Sequence, residues 1–294
     1  GHEVRALTSR PAAGGGDVGD SGFSGSSAVE VVRGDVRDPS AMRRAVAGVD
    51  GVCHLAALTG VRAAQDRAAE YWAVNHGGAV TVARAAVAEA RRGGRPLRFV
   101  LASSGAVYGR PELQPIPEDL PFTATNDYGE TKRAAEQDVL GAPPDGRFGA
   151  VALRLFNVAG ASGGRSGDPE TLIPKTLAVA RGAAPRLQIN GDGTAVRDFV
   201  HVDDAAVAFE LALGHAEPDR RAVFNVGATG ASVLDVVRVA REVTGHPIPV
   251  AFLPARGEAP RLLADTRRAR AVLGWQPQHS DLRRILADAW RALT

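Results

Sequence analysis

The sequence predicts an α/β fold, a doubly wound parallel sheet with a smaller second lobe, on three observations. Apolar runs at Val49–Ala57, Phe99–Ala102 and Ala150–Leu155 alternate with longer stretches of helical spacing, the pattern of strands buried on both faces. The run from Phe99 ends in Ser103-Ser104, and sheets of this kind carry their chemistry at the carboxyl ends of strands. Tyr128 and Lys132 then stand four residues apart, so a helix there presents phenol and ammonium on one face, about one turn apart.

Composition bounds the function. At 294 residues and 45% hydrophobic content the chain can bury a large core and is long for one simple domain. The 35 basic and 33 acidic residues are spread along its length, so the net charge of +2 implies no basic patch and no nucleic-acid partner. Cys53 is the single cysteine, which excludes an intrachain disulfide; its apolar neighbours predict a buried, reduced thiol. The seven histidines are scattered, and no metal-ligand spacing appears. No apolar run approaches the ~18 residues of a membrane span and no secretory leader opens the chain, so the expectation is a cytoplasmic protein with no membrane partner.

In order, the chain opens with Gly1-His2-Glu3-Val4-Arg5-Ala6-Leu7, read as the end of a helix running into a strand, without an initiator Met. Residues 9 to 28, with Gly14-Gly15-Gly16 and further glycines, read as a flexible loop, since no helix follows to form a pyrophosphate site. Val29–Val32 is the next strand, and Asp38-Pro39 is a helix N-cap with proline at the first helical position. Val49–Ala57 ends in His54-Leu55-Ala56-Ala57, where small residues let a ligand approach. Tyr71 starts a helix to about Arg92, with Val74, Val80, Ala83 and Val87 as an apolar stripe. Beyond Ala150–Leu155 come Phe156-Asn157, Asp168–Pro174 and the run Gly191–Asp204. Phe224–Gly227 returns to the core, Ser232–Asp235 caps a helix, and Leu273–Pro277 with a last helix closes the small lobe.

Free tyrosine ionises near pH ~10, so a tyrosinate base near neutrality needs that value lowered by about 3, roughly 4 kcal/mol, which a fixed cation helps to supply. The chain carries 33 Arg but only Lys132 and Lys175, and three tyrosines. A chance Tyr-x-x-x-Lys pair is therefore rare, and arginine neither fits nor titrates as lysine does. The alternative is a snorkelling lysine beside a half-buried tyrosine.

Taken with the serine strand, these residues resemble the extended short-chain dehydrogenase/reductase family, and within it the nucleotide-sugar epimerases of the UDP-glucose 4-epimerase type. The resemblance implies a Rossmann-type cofactor domain over residues 1–160, with 198–227 returning to it, and a mainly substrate-binding lobe over 161–294. Family members begin with a strand, a glycine-rich phosphate turn and a helix ending in a Gly-His-Glu-Val like residues 1–4. That unit is absent from the chain as given, so the expectation is a fragment lacking roughly 25 to 30 residues by analogy with the ~30-residue unit, or else a naturally shortened relative.

The resemblance further implies NAD as cofactor and a UDP-hexose substrate, epimerised at C4 through a 4-keto intermediate. It assigns Tyr128 as base, assisted by Ser104, with Lys132 ordering the nicotinamide ribose and lowering the tyrosine pKa. Asp35 and Val36 fall at the adenine, and Leu55, Ala56, Ala57, Ser103 and Phe156 line the cofactor. Asn75 resembles a residue that braces the catalytic strand. Thr8-Ser9-Arg10 stands where the family often has an acid, which leaves NADP open and lets Arg10 favour a 2′-phosphate. On the substrate side the resemblance implies Asn157, the Leu172 backbone, Arg197 on the diphosphate, Arg256 and Glu258 at a spacing one residue short, and Leu262 near the sugar. Asp35 as a plain turn residue and Arg197 as a surface ion pair are the bland alternatives. The stripe of the Tyr71 helix is either core or, as the resemblance implies, forms with the Tyr128 helix the contact of a homodimer.

Competing functions differ at particular residues. Gly105-Ala106 after Ser104 replaces the Asp-Glu of the 4,6-dehydratases. Gly60-Val61-Arg62 resembles the UDP-glucuronate 4-epimerases. A reductase of a small carbonyl needs no Arg197 motif, and a non-catalytic sugar-nucleotide sensor needs none of Ser104, Tyr128 and Lys132.

Overall fold

Strands with alternating side chains and alanine-rich helices build a sandwich around one parallel sheet. The computed structural model describes residues 2–9, 29–163 and 165–294; apart from Ser9, the loop expected over residues 9 to 28, and Arg10 with it, lies outside them. Four parallel strands run in the order Arg221–Val226, Phe148–Leu155, Leu97–Ser104, Gly51–His54. Arg5–Thr8 pairs in parallel with Glu30–Arg33 as a separate two-stranded sheet. Among the described residues Arg5–Thr8 and Gly51–His54 each pair on one side only.

The period of two in a strand sends Phe99, Leu101, Ala150 and Ala152 to one face and Val100, Val151 and Leu153 to the other. The first face is covered by Pro39–Ala45, Ala79–Gly93 and Asp127–Leu140, through Met42, Val82, Ala86 and Val139. The second is covered by Val202–His215 through Ala208 and Ala212, with Trp275 at 0% exposure. Alanines on both layers let helix backbones lie close to the sheet. The expected caps form: Asp38 accepts from Ser40 N at 2.8 Å with Pro39 in the first turn, and Ser232 with Asp235 makes a complete capping box.

The helix expected from Tyr71 is continuous from Ala68 to Gly93, with a wider π-type turn over Trp72–Gly78. Val74 and Val87 pack half-buried on the core beside Ala83. Cys53 corrects the sequence expectation, because it is exposed. It stands in register with Val100 on a strand whose other edge is unpaired among the described residues, so nothing flanks it there.

A second core lies beyond residue 160, where Leu172–Ala180, Val233–Thr244 and Leu282–Arg291 pack around Leu177, Val236, Ile285 and Leu286. The two regions are joined by a mixed sheet in which Val196–His201 pairs with Asn157–Ala159, Arg261–Leu262 and Thr229–Ser232. Among the described residues no helix is long and apolar enough to cross a membrane.

Candidate active site

The helix Asp127–Leu140 begins where the Asn126 side chain accepts from Gly129 N at 2.9 Å. A Cβ on Gly129 would stand 2.6 Å from Ala106 O, so glycine lets the first turn lie on the backbone that follows Ser104. Spacing of four then lines up three polar side chains against one strand. Tyr128 faces Ser104, whose hydroxyl favours the ionised phenol, the Lys132 ammonium donates to Ala102 O at 3.0 Å, and Glu136 accepts from Ser103 Oγ at 2.7 Å. Ser104 also accepts from Ala106 N at 3.2 Å, capping the 3₁₀ turn Gly105–Tyr108.

Burial dominates the electrostatics of the pair in the ligand-free site. Burial pushes the Tyr128 phenol up, the Ser104 hydrogen bond opposes that, and Tyr71 adds to it. Lys132, 4% exposed, is brought down by burial to about 8. Its nitrogen stands 6.0 Å from the Tyr128 ring centre. Burial is thus the largest influence on the phenol in the ligand-free site.

Around this pair stand the residues expected at a cofactor. Leu55 is 61% exposed, and Ala56 and half-buried Ala57 follow it at the strand end. Asn75, 2% exposed, accepts from Leu58 N at 2.7 Å and donates to Leu58 O at 3.1 Å and Thr131 Oγ1 at 3.3 Å. It thus braces the loop after Ala57 against the tyrosine helix, where the sequence reading placed the brace on the serine strand. Tyr71, one turn earlier, donates to Thr59 O and reaches Gly60 O at 3.1 Å, and its ring meets that of Tyr128 edge-on at 6.5 Å. Val36 is buried beneath Gly78. The Asp35 carboxylate is held by the Arg37 guanidinium at 2.5–3.1 Å and by the Arg37 backbone N–H at 2.9 Å, which keeps it below the ordinary carboxylate range. Ser103 turns its hydroxyl inward to Glu136, and Phe156 packs over Gly105.

These residues fit a nicotinamide nucleotide on one observation in particular. An ammonium has three donors, and that of buried Lys132 has a single hydrogen bond among the described residues, beside a tyrosine hydroxyl and an exposed apolar strand end. A ribose diol over an apolar wall matches that donor set.

The substrate-side residues gather on the mixed sheet. Arg197 pairs in register with Leu262, and the neighbouring Phe199 with Asn157. The Asn157 amide donates to Asp198 O at 2.8 Å. Arg197 donates to Val196 O and Ala259 O, each at 2.9 Å, and lies 3.6 Å from Glu258, with burial lowering its pKa. Glu258 also accepts from Asn190 at 3.2 Å. Arg256 is exposed two residues before it, and Leu172 opens its helix half-buried. Leu262, Phe156 and the turn residues Val107 and Tyr108 share one apolar cluster, which joins this side to the serine strand. Thr59 donates to Asp168 at 3.2 Å, so the segment before Leu172 reaches the loop beside Tyr71.

Several residues at the site escaped the sequence reading. Tyr71, Tyr108, Glu136, Arg154 and Asn225 act through partners far away in the chain. His54, read as a strand histidine, is 5% exposed with Nε2 unpartnered among the described residues, and burial with nearby Lys132 brings it down to about 3. Asp198 accepts from Ala228 N at 2.6 Å and Ala264 N at 2.9 Å; burial raises it to about 6.

A parallel sheet with a serine at one strand end, faced by a tyrosine and a lysine from the neighbouring helix, defines a short-chain dehydrogenase/reductase type of site. The model of the NAD dependent epimerase/dehydratase family matches residues 1–227. The UDP-glucose 4-epimerase of Corynebacterium glutamicum is 40% identical over 271 residues, 88% of this chain and 81% of that protein. A UDP-glucose 4-epimerase from Stenotrophomonas maltophila, solved with bound NAD and formylated UDP-arabinopyranose, superposes with a TM-score of 0.81 at 31% identity over 90% of this chain and 83% of that one. MoeE5 in complex with UDP-glucose and NAD superposes at 0.84, 31% identical over 99% and 90% of the two chains, and it is also solved with UDP-glucuronic acid and NAD. The chain belongs to the NAD dependent epimerase/dehydratase family.

Proposed function

We propose that the chain is an NAD-dependent 4-epimerase of UDP-hexoses of the UDP-glucose/UDP-galactose type. The observation that carries this reading is the Ser104–Tyr128–Lys132 set on one helix–strand pair, joined through the Leu262 cluster to the strand of Arg197. Bound NAD supplies a reversible two-electron acceptor for the sugar C4, which permits a 4-keto sugar and return from its other face. Tyr128 takes the C4 hydroxyl proton and gives it back, and Ser104 orients that hydroxyl. Lys132 donates to the ribose of the nucleotide, with Leu55, Ala56, Ala57, Phe156 and the Ser103 backbone as its wall and Asp35 and Val36 at the adenine. Arg197, Asn157, the Leu172 backbone, Arg256 and Glu258 hold the nucleotide diphosphate and ribose while the keto sugar turns.

We divide the chain at about residue 160 into cofactor and substrate parts, and place the protein in the cytoplasm as a homodimer. Trp72, 37% exposed and edge-on to the ring of His76, which pairs with Asp138 at 2.8 Å, offers the two helices a face for a second copy. A UDP-glucuronate 4-epimerase is the second reading, supported by the MoeE5 complex with UDP-glucuronic acid. The test is conversion of UDP-galactose to UDP-glucose by the purified chain with NAD, alongside Tyr128→Phe. Turnover that falls by about 10²–10⁴-fold in the variant fits a general base. Binding of UDP-hexose without turnover in either protein refutes the enzyme and leaves a sugar-nucleotide sensor; turnover of UDP-glucuronate alone selects the second reading.

A further inference from the structure

Next to Ser104 a connected network of buried polar side chains joins Ser103, Glu136, Arg154 and Tyr108, and the proposed chemistry uses none of their side chains. Glu136 and Arg154 are 2% and 3% exposed. Arg154 Nε stands 3.2 and 3.1 Å from the two Glu136 oxygens, and Nη2 closes a second bond to Oε1. Ser103, the residue before Ser104 and the cross-strand partner of Arg154, donates to Glu136 Oε2 at 2.7 Å. On the other side Arg154 Nη1 donates to the Tyr108 hydroxyl at 2.6 Å and to Glu118 O at 2.7 Å. Tyr108 ends the 3₁₀ turn that Ser104 begins, and its hydroxyl donates a hydrogen bond to Asn225 Oδ1 at 2.8 Å. The guanidinium is stacked 4.9 Å from the Tyr108 ring centre and 4.8 Å from that of Phe122.

Stability alone does not call for this pair, since apolar residues of similar volume often replace a buried ion pair without loss. Its geometry does something an apolar filling does not. It fixes the residue before Ser104 and the turn after it, and it does so from Glu136, which sits on the helix of Tyr128 two turns on. We propose that Glu136 and Arg154, acting through Ser103 and Tyr108, are positioning residues that set the register of Ser104 against Tyr128. The inference rests on the epimerase reading for its kinetic part only.

Glu136→Gln leaves a buried guanidinium without its counter-charge and is a poor test, so Tyr108→Phe and Ser103→Ala are used, each removing one hydroxyl. Val139→Ala, on the apolar side of the same helix and 1% exposed, supplies a comparison with destabilisation but no link to the network. With UDP-galactose, the two hydroxyl variants are expected to lose about tenfold in kcat, with KM and bound NAD within twofold of the parent, and peptide 103–110 is expected to exchange its amides about tenfold faster. Val139→Ala is expected to keep kcat within twofold. The proposal is overturned if the hydroxyl variants keep kcat, or lose no more than Val139→Ala at equal loss of thermal midpoint. A parent chain inactive on every UDP-sugar sinks the epimerase reading instead; the clamp then stands or falls on whether faster exchange is confined to 103–110.

Discussion

Lys132 is held in place at a cost that can be measured. Its ordinary value of 10.5 is brought to about 8 by burial, so the folded state disfavours the cation by about 3 kcal/mol. Lys132→Met keeps the length of the side chain and removes the charge. Against that gain stands the lost hydrogen bond to Ala102 O at 3.0 Å, about 1–2 kcal/mol with its carbonyl left poorly satisfied. The net expectation in nucleotide-free protein at pH 7 is a variant about 1–2 kcal/mol more stable than the parent, a thermal midpoint higher by about 2–6 °C, and an enzyme without turnover. Because the folded value is depressed, the unfolded chain binds one more proton than the folded chain between about pH 8 and 10.5, and the parent gains stability as pH rises through that window. The advantage of the variant is therefore full below pH 8 and shrinks toward pH 10.5. Calorimetry or dye-monitored melting of both proteins across pH 6.5 to 10 reads it. A variant no more stable at pH 7, or a gap that does not narrow with rising pH, refutes the argument that burial governs this lysine.

Three further outcomes follow from single contacts. Asn75→Ala strips Leu58 N and O of buried partners and is expected to cost about 2–3 kcal/mol in denaturant unfolding, with several-fold less NAD retained on purification. Gly160→Ala puts a Cβ 2.5 Å from the His201 ring at a φ of +90; His201 is 0% exposed and fixed by Asp203 N, so a loss of about 3 kcal/mol or more is expected in the same measurement. Arg197→Met is expected to weaken UDP binding by calorimetry about 10- to 100-fold, in the range for a charge-assisted contact of about 1.5–3 kcal/mol, with a smaller effect on kcat.

What the sequence made legible was local. The Tyr128–Lys132 spacing, the Asp38-Pro39 cap and the Ser232–Asp235 box each depend on residues within a turn of one another, where helix geometry decides the outcome. The sheet was legible because strands buried on both faces read as plain apolar runs. Cys53 was misjudged because exposure depends on which strand lies alongside, and its own run of Val52, His54 and Leu55 is as apolar as any buried strand. The burial of the Tyr128–Lys132 pair was not legible for a related reason: spacing gives proximity, while the balance of charge and burial depends on how dry the pocket is. Arg154 carried no signal among 33 arginines, since its partners Glu136, Tyr108 and Glu118 come from three other segments.

The site concentrates charge where the fold is driest. Lys132, Glu136, Arg154 and Asp198 are all under 5% exposed, and burial opposes the charge on three of them, Lys132, Arg154 and Asp198. Each is kept by a backbone or side-chain partner: Ala102 O for Lys132, Glu136 for Arg154, and the amides of Ala228 and Ala264 for Asp198. Ala102 lies near the end of the central strand and Glu136 on the helix packed against it, so the apolar pairing of Phe99, Val151 and Leu153 holds the frame in which these charges are partnered. A reaction that moves a proton at Tyr128 needs little reorganisation in such a place, because the dipoles are already aimed. The same dryness raises the phenol of Tyr128 and lowers the ammonium of Lys132 in the ligand-free site, so a charged ligand that fills it changes the surroundings on which both ionisations depend.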